Sequence, residues 1–526
     1  MAPHPIAPQR PRRRSKIAAL VLVAASLAAC GGGGGDSGVA NSSGIPPSSQ
    51  SAQQCSPDNA YASAALKNGS LAIEKQWLRS YFDEAYLWYD EVPVVDASAE
   101  LYTGDVYPAL KNYFTALKTQ AVTTSGAKRD KFSFTYPTAQ WIARSRSGVV
   151  AGYGFEPVFG SLEVKPETPH RDIRIAYVEP GTEAASKAMR RGDQIVSVDG
   201  VSADDNTPAG VAVLNAAIFP DTTGVAHDWV FARTGAANFS LTLSTANITK
   251  NPVLSYSVVT ALDGNKVGYM VFNDHLATAE AQLVEAVNYF KAQAVSDLVL
   301  DVRYNGGGYL YIASELAYMI AGPTRVQGKL FEQLGYNNKR GAGTTTPFYN
   351  TSTGGTALPT LSLPSVYVLT QGDTCSASES VINGLRGVDL DVRLIGGTTC
   401  GKPYGFTAKD NCGISYFPIE FKGVNAKGFG DYPDGFIPAG SGSTGVLGCA
   451  VADDLSHALG DPAEAMLATA LGYRGTGACP VLSVGIDQVQ SAGRSTAAAG
   501  AFLVRGPARE NRLLAPGRRA AEPLSR

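Results

Sequence analysis

Hydrophobic and polar positions follow three successive textures along this chain. From about Ser56 to Trp141 the spacing is helical. "SLAIEKQWLRSYFDEAYLWYDEV" sets Ile73, Trp77, Tyr81, Leu87 and Trp88 among charged residues, the pattern of a core-facing helix surface. "DVYPALKNYFTAL" predicts a second helix, and "RDKFSFTYPTAQW" a return to extended chain. From about Gly148 to Thr249 short strands alternate with turns. There "DIRIAYVEPGTEAASKAMRRGDQIVSVDG" predicts a strand, a turn, a short helix and a strand closed at Asp199-Gly200. From about Val253 strands alternate with helices. "KVGYMVFND" and "SDLVLDVRYNGGGYL" are buried strands flanking the amphipathic "ATAEAQLVEAVNYFKAQ"; "PSVYVLTQGDTCSASESVINGLRG" repeats that plan, and "DVRLIGGTTCGKPYG" adds a strand and a turn. Such alternation predicts a largely parallel sheet covered by helices. Its chemistry is expected in loops at the C-terminal ends of strands.

The ends of the chain read differently. "RPRRRSK" is a basic run and "IAALVLVAAS" an apolar one too short to span a bilayer stably. They end at "LAAC", Leu27 to Cys30, which resembles a bacterial lipobox. That resemblance implies lipidation of Cys30, a signal peptide over residues 1–30 and an envelope location. With no Asp after Cys30, the outer membrane is the expected destination. The Gly/Ser-rich stretch over 31–55 then serves as a tether, and residues 480–526, rich in Ala and Arg, read as a disordered tail.

Composition adds limits. A length of 526 residues allows two to four domains, and 44% hydrophobic residues with a formal net charge of -2 describe a globular protein whose charge gives no reason to expect nucleic acid as its main partner. Six cysteines remain after Cys30, namely Cys55, Cys375, Cys400, Cys412, Cys449 and Cys479. In an exported chain this even number predicts disulfides. A bridge from Cys400 to either Cys375 or Cys412 would fix the loops that hold them. No CxxC spacing and no suitably placed histidine suggest a metal, and no cofactor is expected.

Three Gly- or Ser-rich loops follow buried strands: "NGGG" at 305–308, "TCSASE" at 374–379 and "CGKPYG" at 400–405. A serine opening a helix lies beside free N–H groups and the positive end of the helix dipole, a setting suited to a developing oxyanion. The ordinary role of such a serine is a helix cap. Taken together, "LDVRYNGGGYL", "CSASESVINGL" and "GGTTCGKPYG" resemble the S41 serine peptidases, the C-terminal processing or tail-specific protease family, over roughly residues 70–475. Gly306 stands where that family's turn usually has proline, and Phe406 where many members have glutamine.

This resemblance implies a multidomain α/β protein. It has a helical N-terminal domain (56–145), a PDZ domain (148–249) and a crotonase/ClpP-like peptidase core (253–475). Ser376 would be the nucleophile, Lys402 the general base, and the N–H groups of Gly307 and Ala377 the oxyanion hole. Glu379 either supports the site or stabilises the first helical turn. Lys402 must be neutral to accept a proton, which burial among apolar atoms favours.

"EPGTEAASKAMRRGDQIVSVDG" likewise resembles a PDZ domain, with Gly152, Tyr153, Gly154 and Phe155 as the loop that receives a peptide carboxylate while the peptide adds as a strand. The expected function is a serine endopeptidase of Ser–Lys type acting on exposed or unfolded protein tails. The alternative is a catalytically inactive, PDZ-containing peptide-binding lipoprotein. Among the histidines, His275 lies in the core and could reach the site; His170 and His227 fall in the PDZ-like region, and His457 on a closing helix. The literal Ser-x-x-Lys at Ser125–Lys128 has no companion motif.

Overall fold

The computed structural model describes residues 44–159, 163–165, 168–261 and 263–480. The leader with Cys30, the first part of the tether and the tail from 481 lie outside them. Helix α1, Leu71–Ala85, opens where the Ser70 side chain accepts the Ile73 N–H. It buries Trp77, Leu78, Tyr81 and Phe82 against Leu110 and Phe114 of α2, Val106–Ala116. The helix stops at Ala85, so Leu87 and Trp88 leave its face. Only Phe134–Pro137 of the expected extended segment is a strand, β1; Thr138–Ser147 is helix α3 and ends on Gly148 at φ 66°.

This N-terminal layer is stitched to the rest of the chain. β1 pairs antiparallel with the strand Ile414–Phe417, and a disulfide joins Cys55 to Cys412. An aromatic core fills the seam, with Phe134 stacked on Phe417 at 4.3 Å and Phe406 edge-on to both.

The middle region is a sheet of short antiparallel strands. β2 (Phe155–Phe159), β3 (Ile173–Val178), β4 (Gln194–Val198), β5 (Ala226–Ala232) and β6 (Phe239–Ser244) lie in the order β6-β5-β4-β3-β2, so β2 is an edge. Helix α4, Pro208–Ile218, begins on the Thr207 cap and covers the sheet with Leu214, Ala217 and Ile218.

The six-stranded sheet of the last region runs β7-β8-β9-β10-β11-β12, formed by Val253–Thr260, Lys266–Phe272, Asp297–Asp301, Ser365–Thr370, Asp391–Gly396 and Gly448–Ala450. β7 is antiparallel to β8, and every later pair is parallel. The inner strands β8, β9 and β10 are buried on both faces, as parallel sheets require. Alternate residues therefore serve different cores. Met270, Leu298, Leu300, Val368 and Leu394 meet helices α5 (Ala279–Gln293), α6 (Leu310–Ala321) and α7 (Ala377–Gly387). Tyr269, Val299, Leu369 and Ile395 meet α8 (Ala465–Thr476). The fold is a multidomain mixed α/β architecture.

A charged cluster ties the middle region to the sheet. Arg303, 1% exposed, is held by Asp301, Asp453 and Glu464. Arg191, from the turn before β4, donates to Tyr304 and Asp453. The turn thus docks beside the loop that leads into Gly306–Gly308. Among the described residues, no helix is long and apolar enough to cross a membrane.

Candidate active site

Small polar residues tie the loop from β10 into α7 to the neighbouring loop after β9. Thr374 Oγ1 donates to Val302 O at 2.9 Å, Cys375 N–H to Asn305 O at 3.0 Å, and Ser378 Oγ to the same Asn305 carbonyl at 3.0 Å. The chain is thereby forced through Ser376 at φ 62°, ψ -116°. A non-glycine residue held there costs on the order of 1–3 kcal/mol, a cost that persists only where surrounding structure enforces it. Ser376 is wholly buried, and its Oγ has no hydrogen-bond partner among the described residues. Ser376 opens α7 in a capping box with Glu379, whose carboxylate accepts the Ser376 N–H.

Lys402 approaches from the loop after β11. A disulfide between Cys375 and Cys400 joins the residue before Ser376 to the residue two before Lys402. Of the two bridges open at the sequence level, this one forms; Cys412 pairs with Cys55, and Cys449 with Cys479.

Glu379 forms a second tie. Its Oε2 accepts the N–H groups of Ser376 at 2.9 Å and Lys402 at 2.8 Å, while Oε1 accepts from Gly401 N–H and the Thr399 hydroxyl. Burial raises the Glu379 carboxyl above its ordinary value, and these hydrogen bonds oppose the rise. The Lys402 amine is fully buried and, among the described residues, has no hydrogen-bond partner. Burial pushes it well below the usual lysine value, against the opposing pull of Asp130 and Glu379. The amine is therefore favoured in its neutral, proton-accepting form.

Gly307 packs on the turn at Ser376. At φ 95°, a Cβ on Gly307 would lie 2.8 Å from both Ala377 N and Ser376 Cβ, so only glycine fits. Ala377 is the first residue of α7, where a helix cannot satisfy its own N–H groups. The Gly307 N–H donates to Asn305 Oδ1 at 2.9 Å. Asn305 is a site residue that sequence reasoning missed. Its Oδ1 also meets His275 Nδ1 at 3.1 Å, and its Nδ2 donates to Phe272 O. The available signal was an asparagine directly ahead of the glycine run.

His275 is thus brought beside the glycine loop. His227 pairs with Asp199, and His457 with Asp454. Ser125 of the isolated Ser-x-x-Lys donates to Asp434. At the edge of the middle sheet, Gly152–Phe155 forms a bend with Gly154 at φ 93° packed on Thr182; the Gly154 carbonyl accepts from Glu179 N–H at 2.7 Å.

Residues 266–409 match the model of peptidase family S41, a stretch that contains Gly307, Ser376, Glu379 and Lys402. This segment of the core is similar to that family. A carboxyl-terminal-processing protease of Picosynechococcus sp. is 27% identical over 187 residues, 33% of this chain and 39% of that protein. One from Synechocystis sp. is 25% identical over 171 residues, 32% and 38% of the respective chains. This chain thus spans about two-fifths of the length of the curated relatives it matches. A solved chain described as an S41 protease from Bacteroides fragilis superposes with a TM-score of 0.56 at 23% identity, covering 76% of this chain and 97% of that one. That similarity is one of fold.

Proposed function

We propose that the protein is a serine endopeptidase in which Ser376 is the nucleophile and Lys402 the general base. The observation that carries this reading is a strained, buried serine and a buried lysine amine without a hydrogen-bond partner among the described residues, on two loops joined by the Cys375–Cys400 bridge and by Glu379. Ser376 Oγ attacks the scissile carbonyl while the Lys402 amine takes its proton. The tetrahedral intermediate collapses to an acyl-enzyme as Lys402 returns that proton to the leaving amine. Lys402 then activates the hydrolytic water. The Ala377 N–H and, once the substrate oxygen replaces Asn305 as acceptor, the Gly307 N–H stabilise the oxyanion.

The region 148–249 is read as a PDZ domain. The edge position of β2 beside α4 supports this, because an extended peptide could add there with its carboxylate at Gly152–Phe155. The substrates are exposed or unfolded tails of cell-envelope proteins, and Cys30 carries the lipid that keeps the enzyme at the membrane. The test is cleavage of an unfolded protein by the parent, Ser376→Ala and Lys402→Ala, with a covalent serine probe alongside. Loss of cleavage in both variants and labelling only where Ser376 is present are the expected results. A parent that neither cuts nor labels would leave peptide binding as the function.

A further inference from the structure

The reading above requires a neutral Lys402, and nothing on its own loop accounts for one by hydrogen bonding. The amine instead lies against two aromatic rings, 4.2 Å from the centroid of Phe406 and 5.3 Å from that of Phe132. Both side chains are buried, and they come from different parts of the molecule. Phe406 follows Lys402 by four residues and is itself braced by Phe134 and Phe417. Phe132 lies 270 residues earlier in the sequence, just ahead of β1. It is held by Asp130, whose Oδ1 accepts the N–H groups of Phe132 and Ser133 and whose Oδ2 accepts the Tyr86 hydroxyl. Lys131 then reaches across to the Cys400 carbonyl at 3.0 Å, fastening this segment over the lysine loop.

We propose that Phe132 and Phe406 form an aromatic seat that positions Lys402 and excludes water from its amine, so that the N-terminal layer completes the active site. The inference rests on the Ser–Lys reading and names the positioning residues for that base. The charged and titratable groups around the seat are Asp130, with Lys118 and Tyr86 beside it, Lys131 over the Phe132 ring, and Glu379 from α7. Asp130, Glu379 and the faces of the two rings all favour a charged lysine, so the loss of water around the buried amine must outweigh them. Lys131, 5.1 Å from the Phe132 ring, disfavours a second cation on that ring. The Cys55–Cys412 bridge and the β1 pairing hold the cover in place.

The experiment is a pH titration of Lys402 in the full chain, read by NMR on ε-carbon-labelled lysine and assigned by loss of the signal in Lys402→Met. It is run beside pH profiles of kcat/KM. In the parent, Lys402 should titrate far below the other lysines. Phe132→Ala, which admits water, should raise that titration by about 1 pH unit or more and move the acidic limb of activity with it. Phe132→Leu should restore most of the difference. Phe406→Gln, which puts an amide beside the amine, should also raise it, giving a second readout should Phe132→Ala fail to fold. A parent Lys402 that titrates with the other lysines overturns the proposal, as does a folded Phe132→Ala or Phe406→Gln protein whose Lys402 titrates as in the parent. A shifted titration in a chain that cleaves nothing would leave the seat standing and remove the peptidase reading.

Discussion

Glu379, in the first turn of α7, accepts the backbone N–H of Lys402 at 2.8 Å with the same carboxylate oxygen that accepts the N–H of Ser376 at 2.9 Å. One buried side chain thus sets the relative position of the two loops that carry the proposed nucleophile and base. A first-turn carboxylate acting only on its helix dipole would make neither cross-loop contact with Gly401 nor one with Lys402.

Glu379→Gln replaces one of these acceptor oxygens with a donor that faces N–H groups. The variant should lose about 3 kcal/mol of stability. It should also lose roughly 100-fold in kcat, with a smaller change in KM, because misplacing reacting groups is costly. Denaturant melts and steady-state kinetics together check this. An unchanged kcat in a destabilised protein would make Glu379 a structural residue only.

The Cys375–Cys400 bridge closes a loop of sequence separation 25. Replacing both cysteines with alanine should lower unfolding stability by about 3 kcal/mol through the freed chain entropy. Cleavage should fall further than the melting curve accounts for, since the bridge lies within two residues of both Ser376 and Lys402. Activity of the double variant well below its melting temperature is the decisive reading.

Burying Lys402 in its neutral form makes folding compete with the proton the unfolded chain would bind. Its folded value lies below the unfolded one, so the unfolded state holds more protons between the two, and stability falls as pH drops from the ordinary lysine value. Lys402→Met should therefore be inactive yet more stable at pH 7, by about 0.5–2 kcal/mol, with a smaller gain at pH 10. Equal gains at both pH values would show that Lys402 ionises normally.

Glu332, in the strand Leu330–Tyr336, is buried against Gly423 and Ser380, and burial raises its carboxyl to about 8. Its folded value exceeds the unfolded one, so its protonated form supports the fold and that support is lost as pH rises from about 4.5 towards 8. Glu332→Gln should match the parent near pH 5. It should become the more stable protein by ~1 kcal/mol per pH unit across that window, levelling above it. Paired thermal melts at pH 5 and pH 9 test this.

The motifs of the core were legible because each is local. A strand that runs into glycines, a serine at a helix start and a lysine between small residues can be read within a dozen positions. Asn305, one residue before Gly306, was within reach of that reading, but its role depends on what lies across the turn. The extent of α1 was overread because Leu87 and Trp88 continue its apolar content past the point where the backbone leaves the helix. "TAQW" continues the extended pattern of the strand before it, whereas α3 begins directly after Pro137.

The sequence by itself determined the alternation that makes a largely parallel sheet, the short strands and turns of the middle region and the chemical identity of Ser376 and Lys402. Those follow from periodicity and residue type, which the chain carries at every position. Tertiary structure alone decided that Cys400 bridges to Cys375, that Glu379 holds both loops, and that Phe132 lies over a lysine 270 residues away. The physical reason is that bridges, buried hydrogen bonds and desolvation depend on proximity in space, which is fixed only when separate layers of the fold pack together.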